Sequence, residues 1–155
     1  MSERETAMDM RERIRRLNAG PPPCVRSLGG SVEDYDAERR RIVMRFSMPL
    51  EFCHSGNVVQ GGFVTGMLDA AMAHAVFLEL GTRIALPSLD INVSFLRPSL
   101  AGPQRAHGHI LRLGRSVAFL EGELFDEEGR LTARATSTAR VIRQDAPDEA
   151  ARLTS

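Results

Sequence analysis

The chain has 155 residues, carries a formal net charge of zero and is 43% hydrophobic, which suits one domain with one core. Because it has no basic excess to attract nucleic acid or an anionic membrane surface, we expect neither as a partner. Its two cysteines, Cys24 and Cys53, lie in no CxxC motif, so we expect reduced thiols and a cytoplasmic location.

The N-terminal segment predicts a helix and a stiff connector in front of the main domain. Apolar residues repeat there at helical spacing among arginines and glutamates: Met10, Ile14 and Leu17. The run Gly-Pro-Pro-Pro ends this pattern, so helix and connector together occupy residues 1–23. The segment is charged and lacks the apolar stretch of a signal peptide. We expect the main domain at residues 24–143 and a flexible, polar tail at residues 144–155.

Two strands are expected before the longest apolar stretch of the chain. The first lies within residues 25–35, where two glycines interrupt a weak pattern. The second covers residues 41–48, where apolar and polar residues alternate as in a half-buried strand. Residues 49–57 predict a loop that leads to a helix over residues 60–81.

The predicted helix over residues 60–81 is apolar on nearly every face, which is typical of a buried helix. Asp69 lies in its middle, and burying a carboxylate without a partner costs several kcal/mol or forces protonation. Asp69 therefore marks a functional site, unless it simply bonds to Thr65 one turn earlier or to a neighbouring loop. His74 lies roughly 140° around the helix from Asp69 and is expected to make an ordinary hydrogen bond. These polar residues also argue against a membrane span.

Four more strands are predicted after the helix, joined by short turns. They cover residues 88–96, 104–112, 116–125 and 131–141, and the first alternates most regularly, with Ser88 on the face opposite to Leu89. A helix that is apolar on all sides needs covering on all sides. The sequence therefore predicts an α+β fold, in which one curved antiparallel sheet wraps around the helix and a second copy of the chain closes the gap.

Several motifs in this order resemble one known family over residues 40–142. They are Gln60-Gly61-Gly62, Asp69, the segment from Ser88 to Pro98, the segment from Gly114 to Phe119, and the hairpin at Gly129. The combination resembles the hotdog-fold acyl-CoA thioesterases of the phenylacetate-degradation type. The resemblance implies a hotdog fold, pairing of two subunits into one continuous sheet, and further pairing into tetramers.

The resemblance also implies an activity, namely hydrolysis of an acyl-CoA to a free acid and CoA without a further cofactor. Asp69 would act as nucleophile or as general base, and the backbone N–H of Gly61 would polarise the thioester carbonyl. Three further residues match positions at or next to the reacting group: Gln60, His54 and Ser88. Five more match positions that meet the substrate or CoA: Gly62, Asn57, Arg97, Arg115 and Ser116.

The sequence departs from the family pattern at three of these positions. Gln60 stands where many members have His, although another subgroup carries Gln. His54 replaces an Asn that orients water or substrate, and Asn57 replaces a Gly. These departures leave open a second hypothesis, a hotdog protein that binds an acyl-CoA or another acyl ligand without hydrolysing it. A dehydratase on the same fold would need a paired His and Asp, which the sequence does not clearly supply.

The spacing of Gly61 and Asp69 has a consequence of its own. Eight residues of helix separate them by about 12 Å at ~1.5 Å per residue, so one helix cannot easily bring both to one carbonyl. If both act, they come from two subunits.

Other chemistries are not expected. The chain has no GxSxG motif, so a serine nucleophile of that kind is not expected. His107 and His109 share a strand face without a nearby acid or third His, so no metal site is expected.

Overall fold

The alternating segments form strands and the long apolar segment forms a helix, as the sequence predicts. The computed structural model describes residues 3–144. Within them the elements are, in chain order, α1 Glu3–Ala19, α2 Pro23–Ser27, β1 Ser31–Asp36, β2 Arg41–Met48, β3 Cys53–Ser55, β4 Val58–Val59, α3 Gly61–Leu80, β5 Ile84–Ala85, β6 Ser88–Phe95, β7 Gly102–Leu113, β8 Val117–Phe125, β9 Leu131–Arg140 and β10 Ile142–Arg143.

Six strands form one antiparallel sheet in the order β1-β2-β7-β8-β9-β6. The helix α3 lies on its inner face and packs mainly against β7, β8 and β2. Inward side chains of the strands and of α3 form one core, because each strand turns every second residue toward the helix. The expected arrangement, an antiparallel sheet wrapped around a central helix, is confirmed.

The core helix α3 is long and apolar enough to cross a membrane by length and composition alone, with 20 residues and a mean hydropathy of 1.4. A core helix passes the same test. Half of α3 is buried inside the chain. Its fully buried side chains belong to the core: Met67, Leu68, Ala71, Met72, Ala75, Val76 and Leu78. Its apolar composition is therefore explained by its place in the core.

Among the shorter elements, the loop expected at residues 49–57 is wrong, whereas the strand expected within residues 25–35 is found. That strand is β1, which begins only at Ser31, because Pro23 has the fixed φ that suits a helix start and Val25 lies in the helix α2. The loop expected at residues 49–57 contains a 3-10 turn and the hairpin of β3 and β4. Arg143 pairs with Ile84 in a small two-stranded sheet. The tail expected at residues 144–155 lies outside the described residues, apart from Gln144.

The two edges of the six-stranded sheet differ in how they are covered. At the β1 edge, the Asn18 side chain at the end of α1 donates to the Val32 carbonyl oxygen (2.9 Å) and accepts from the Val32 N–H (2.8 Å). Arg13 of α1 also donates to the Leu78 carbonyl oxygen at the end of α3 (2.8 Å). Helix α1 thus packs on the main domain, while the boundary at residue 23 stays a prediction.

The β6 edge has no such cover within residues 3–144. Strand β6 pairs only with β9, so its other backbone edge is unpaired in the described chain. Large apolar side chains on β6 and just after it are exposed, including Leu89 at 60%, Phe95 at 57% and Leu96 at 51%. An open edge lined with apolar side chains is typical of a surface that pairs with another chain.

Candidate active site

The start of α3 presents one backbone amide without an internal partner. Gln60 caps the helix, since its side-chain Oε1 accepts from the Gly62 N–H (2.6 Å). The Gln60 carbonyl oxygen accepts from the N–H groups of Phe63 (3.0 Å) and Val64 (3.3 Å). The Gly61 N–H alone among these first-turn amides has no acceptor in the described part of the chain. A free N–H at a helix start can stabilise a negatively charged oxygen.

A cavity of about 340 Å³ opens beside Gly61. Its wall is mostly apolar, with one histidine and one arginine: His54, Val58, Val59, Gly61, Val64, Phe95, Leu96, Arg97, Pro98 and Ser99. The Phe95 ring covers the helix start, because a Cβ on Gly61 would lie only 3.2 Å from its Cζ atom. Glycine at this position therefore keeps room between the backbone amide and the ring.

Asp69 has a polar partner, but the partner is not Thr65. The Ser88 hydroxyl donates to Asp69 Oδ1 (2.9 Å), whereas the Thr65 hydroxyl donates to the Gly61 carbonyl oxygen (2.9 Å). Asp69 is half-buried and Ser88 is exposed, so solvent reaches this pair. The Asp69 carboxylate thus has a hydrogen-bond donor at Oδ1, and its Oδ2 is left available to react.

The prediction that Ser88 lies on the face of β6 opposite to Ile91, Val93 and Phe95 is wrong. Ser88 pairs with Ala139 and Asp90 with Thr138, so Leu89 is an extra residue without an opposite partner on β9. This β-bulge shifts the alternation by one residue and puts Ser88 on the helix side of the sheet. Leu89 itself is exposed at the edge.

The structure separates Gly61 from Asp69, as the spacing predicts. Phe95, which covers Gly61, is the last residue of β6, and Ser88, which binds Asp69, is the first. The two halves of the expected site therefore lie at opposite ends of one strand. Within a single chain they cannot meet at one carbonyl group.

The other predicted site residues divide between these two ends. His54 lies in the cavity beside Gly61, where its Nδ1 is 2.8 Å from the Ser55 hydroxyl. Arg97 lines the same cavity and donates to the Leu131 carbonyl oxygen (3.0 Å). Asn57 is exposed in the turn between β3 and β4, and its carbonyl oxygen accepts from the Ala101 N–H (2.8 Å).

Arg115 and Ser116 lie far from that cavity within one chain. They are exposed in the turn between β7 and β8, next to Val117. The register of the sheet connects Ala118 to Ala139 and Ala139 to Ser88, so this turn is at the Ser88 end. These two residues are thus on the Asp69 side and not on the Gly61 side.

The remaining histidines lie in the core or on the outer face of the sheet. His74 is 4% exposed, its Nδ1 lies 2.8 Å from the Ala70 carbonyl oxygen, and burial lowers the pKa of its imidazole. Burial and the nearby Arg41 guanidinium lower the pKa of His107 on the outer face of the sheet. His107 and His109 pair across the strands with Glu123 and Glu121. Among the described residues, no three His, Cys, Asp or Glu side chains are grouped to hold a metal ion.

Phe95 and its neighbour Leu96 belong to the site but are not among the site residues that the sequence predicts. Both line the cavity, and Phe95 is the side chain nearest to Gly61. The alternation over β6 does place Phe95 on the helix side, which was an available signal. No sequence pattern links Phe95 to Gly61, because the two residues are separated by 33 others and meet only when the chain folds.

Comparisons with known proteins identify the family. The profile of the Thioesterase superfamily matches residues 56–133. The medium/long-chain acyl-CoA thioesterase YigI of Escherichia coli is 27% identical over 132 residues, which cover 77% of this chain and 85% of YigI. The crystal structure of a phenylacetic acid degradation-related protein of Ralstonia eutropha is 33% identical, with a TM-score of 0.75, and covers 83% of this chain and 98% of that one.

A thioesterase of Haemophilus influenzae adds support for the fold alone. It is 22% identical, with a TM-score of 0.78, and covers 88% of this chain and 94% of the other. The family profile matches half of the chain and includes both Gly61 and Asp69. The family and its relatives support thioester hydrolysis as the general activity. The chain therefore belongs to the thioesterase superfamily and has the hotdog fold.

Proposed function

We propose that this protein hydrolyses an acyl-CoA thioester to a free carboxylic acid and CoA. The observation that carries the proposal is the Gly61 N–H, which has no acceptor in the described part of the chain and belongs to a residue that lines a mostly apolar cavity. A donor placed there stabilises the negative charge that develops on the carbonyl oxygen during attack. The similarity to YigI, a medium/long-chain acyl-CoA thioesterase, supports acyl-CoA as the substrate.

Asp69 supplies the second half of the chemistry. Its carboxylate takes a proton from the attacking water and passes it to the leaving sulfur, or it attacks the carbonyl carbon itself and forms a mixed anhydride as CoA thiolate leaves. In the second route water then hydrolyses the anhydride to the free acid and regenerates Asp69, and the proton released from water balances the CoA thiolate as the thiol. Ser88 holds one carboxylate oxygen by its hydrogen bond and leaves the other available. Both routes use only water and the substrate, so no further cofactor takes part.

The complete site is proposed to form between two subunits. If two copies of β6 pair in antiparallel fashion at their open edges, the Ser88 end of one lies beside the Phe95 end of the other. Asp69 of the partner subunit then faces Gly61. The exposed apolar side chains at this edge support such a homodimer, and two dimers can pair into a tetramer.

The same pairing gives roles to the other predicted residues. Arg115 and Ser116 of the partner subunit come to the end of the joined sheet where Gly61 and Arg97 lie, so both subunits can contact one CoA. His54 faces the thioester from the cavity wall. Gln60 keeps the helix start in the shape that leaves the Gly61 N–H free. Gly62 and Asn57 lie exposed around that helix start, where they can border the substrate.

Proline at position 61 tests the carrying observation directly. Gly61 is the first residue of α3, a position that tolerates proline, and Gln60 has a ψ of 139°, which suits a residue before proline. Gly61→Pro therefore deletes the N–H and should lower kcat at least ~100-fold. Gly61→Ala, which keeps the N–H and adds the same Cβ, is the matched control. If Gly61→Ala keeps a rate close to wild type and Gly61→Pro is equally active, the role of the amide is refuted.

Asp69→Asn should lower kcat by at least ~100-fold and keep the fold, since it removes a positioned acid/base or nucleophile. A mixture of Asp69→Asn and Gly61→Pro subunits tests the shared site. Random pairing makes half of the dimers mixed, and each mixed dimer has one intact site, so activity should return to about a quarter of wild type. No recovery after subunit exchange would exclude a site built from two chains.

The second hypothesis, an acyl-ligand binding protein, is separated by substrate screening. Purified protein is mixed with short, long and aromatic acyl-CoAs, and released thiol and binding are both measured. Thiol release that depends on Asp69 supports the enzyme. Tight binding without thiol release would favour the binding protein, for which the His54 and Gln60 departures argue.

A further inference from the structure

The Leu89 bulge determines whether Ser88 can reach Asp69 at all. Ile91 and Val93 pack against the core, so strict alternation would turn Ser88, three residues before Ile91, to the outer face. The extra residue Leu89 reverses this and turns Ser88 toward α3. A one-residue change in register moves side chains to the other face of a sheet. The hydrogen bond between Ser88 and Asp69 therefore depends on this bulge.

Three hydrogen bonds from β9 hold the segment around the bulge. The Ser137 hydroxyl donates to the Asp90 carbonyl oxygen (2.8 Å), and the Thr138 N–H donates to Asp90 Oδ1 (3.3 Å). On the other side of Ser88, the Arg140 N–H donates to the Pro87 carbonyl oxygen (2.9 Å). Two of these bonds use a side chain, so they depend on the sequence.

Ser137 stands out among its neighbours on β9. It is only 4% exposed, and the inward positions around it are alanines, Ala133, Ala135 and Ala139. A hydroxyl in such an apolar row needs a hydrogen-bond partner, and its partner is the carbonyl oxygen next to the bulge. Alanine would fill the same space, as it does at the flanking positions, so the packing of the row does not require a serine.

We propose that Ser137 and Asp90 are positioning residues of the thioesterase site, which fix the Leu89 bulge and thereby aim Ser88 at Asp69. The inference rests on the proposed function, in which Asp69 reacts. Asp90 is the second carboxylate of this region, but it lies on the outer face with its Oδ1 on a backbone amide. It acts through the backbone and does not touch the substrate.

A double-mutant cycle tests whether Ser137 acts through Ser88. Ser137→Ala should lower kcat about 10-fold with KM changed less than about twofold, because small misplacements of reacting groups slow chemistry strongly. In a Ser88→Ala background the same change should have no further effect on kcat. Thr136→Ala, the adjacent outward-facing hydroxyl of β9, is the control and should keep wild-type kcat.

Asp90 provides a second test that does not alter the core. Asp90→Ala removes the acceptor of the Thr138 N–H and should lower kcat about threefold to 10-fold, whereas Asp90→Asn keeps the Oδ1 acceptor and should restore it. Unchanged kcat in both Ser137→Ala and Asp90→Ala would overturn the inference. An equal loss from Ser137→Ala with and without the Ser88 hydroxyl would also overturn it.

Failure of the proposed function is visible in the same experiment. If Asp69→Asn keeps the wild-type rate, the chemistry assigned to Asp69 is wrong, and the positioning role is overturned with it. If Asp69→Asn is inactive and the Ser137 and Asp90 variants are not impaired, only the positioning role is wrong.

Discussion

Gly108 marks the closest approach of the helix to the sheet, and replacing it with alanine should destabilise the fold. A Cβ on Gly108 would lie 2.4 Å from the Ala71 carbonyl oxygen and 2.8 Å from the Met72 nitrogen, both in the backbone of α3. Ordinary van der Waals contact begins at 3.4 Å. The helix would therefore have to retreat from β7 by about 1 Å at this point.

The size of the loss follows from what the retreat disturbs. Met67, Leu68 and Met72 are fully buried between α3 and the sheet, and a shift of α3 loosens their packing together. Overpacking a core typically costs about 1–3 kcal/mol. Because the obstacle is helix backbone and not the end of a flexible side chain, we expect a loss of about 3 kcal/mol. Asp69 lies two residues before Ala71, so kcat should fall as well.

Gly122 is the matched control, since it pairs directly with Gly108 across β7 and β8. A Cβ there would lie 3.2 Å from Leu68 Cδ2 and 3.4 Å from Met72 Cγ, which are side-chain atoms that can move. Gly122→Ala should change stability by less than about 1 kcal/mol. Urea unfolding of both variants, at equal protein concentration, measures the difference. Equal stability of the two variants would refute the close approach at Gly108.

Two further predictions concern the β1 edge and the buried histidine. Asn18→Ala exposes the Val32 peptide group at the β1 edge and should cause self-association beyond that of the wild type. Light scattering measures this self-association. Asn18→Asp should have a smaller effect, because it keeps the acceptor for the Val32 N–H. Burial lowers the pKa of His74 from its usual value of 6.5, so the unfolded chain binds more protons and stability should fall as the pH drops below about 6.5. His74→Leu should reduce this fall in urea unfolding between pH 7 and pH 5, and an unchanged pH dependence would contradict the assignment.

The long elements could be predicted because each repeats one period over many residues. The alternation at residues 41–48 matches β2, and the apolar run from Gly61 matches α3. The helix α2 and the hairpin of β3 and β4 could not be predicted. The proline at position 23 is a connector residue by composition, yet it begins α2 because the chain folds back there onto β2, where the Ser47 N–H donates to the Leu28 carbonyl oxygen.

The candidate site was predicted only where the local sequence carries the signal. Asp69 was identified because a carboxylate in an apolar helix needs an explanation, and the structure supplies Ser88 as its partner. The alternation of β6 gave no sign of the Leu89 bulge, because residues 88–95 alternate regularly in sequence. The bulge exists only in relation to β9, where Ala139 and Thr138 take up Ser88 and Asp90. A pairing partner far along the chain decides such a feature.

The two sheet edges explain why one chain holds both halves of a site without joining them. Asn18 occupies the backbone groups of Val32 at the β1 edge, so another strand cannot pair at that residue. Within residues 3–144, no strand pairs with the outer edge of β6, which has Ser88 at one end and Phe95 at the other and carries exposed apolar side chains. In the proposed dimer, antiparallel pairing at this edge would satisfy the open backbone groups, cover the exposed side chains and bring Asp69 of the partner subunit to Gly61. A single contact then accounts for three separate features: the unpaired strand edge, the exposed Leu89 and Phe95, and the distance between the helix start and its acid.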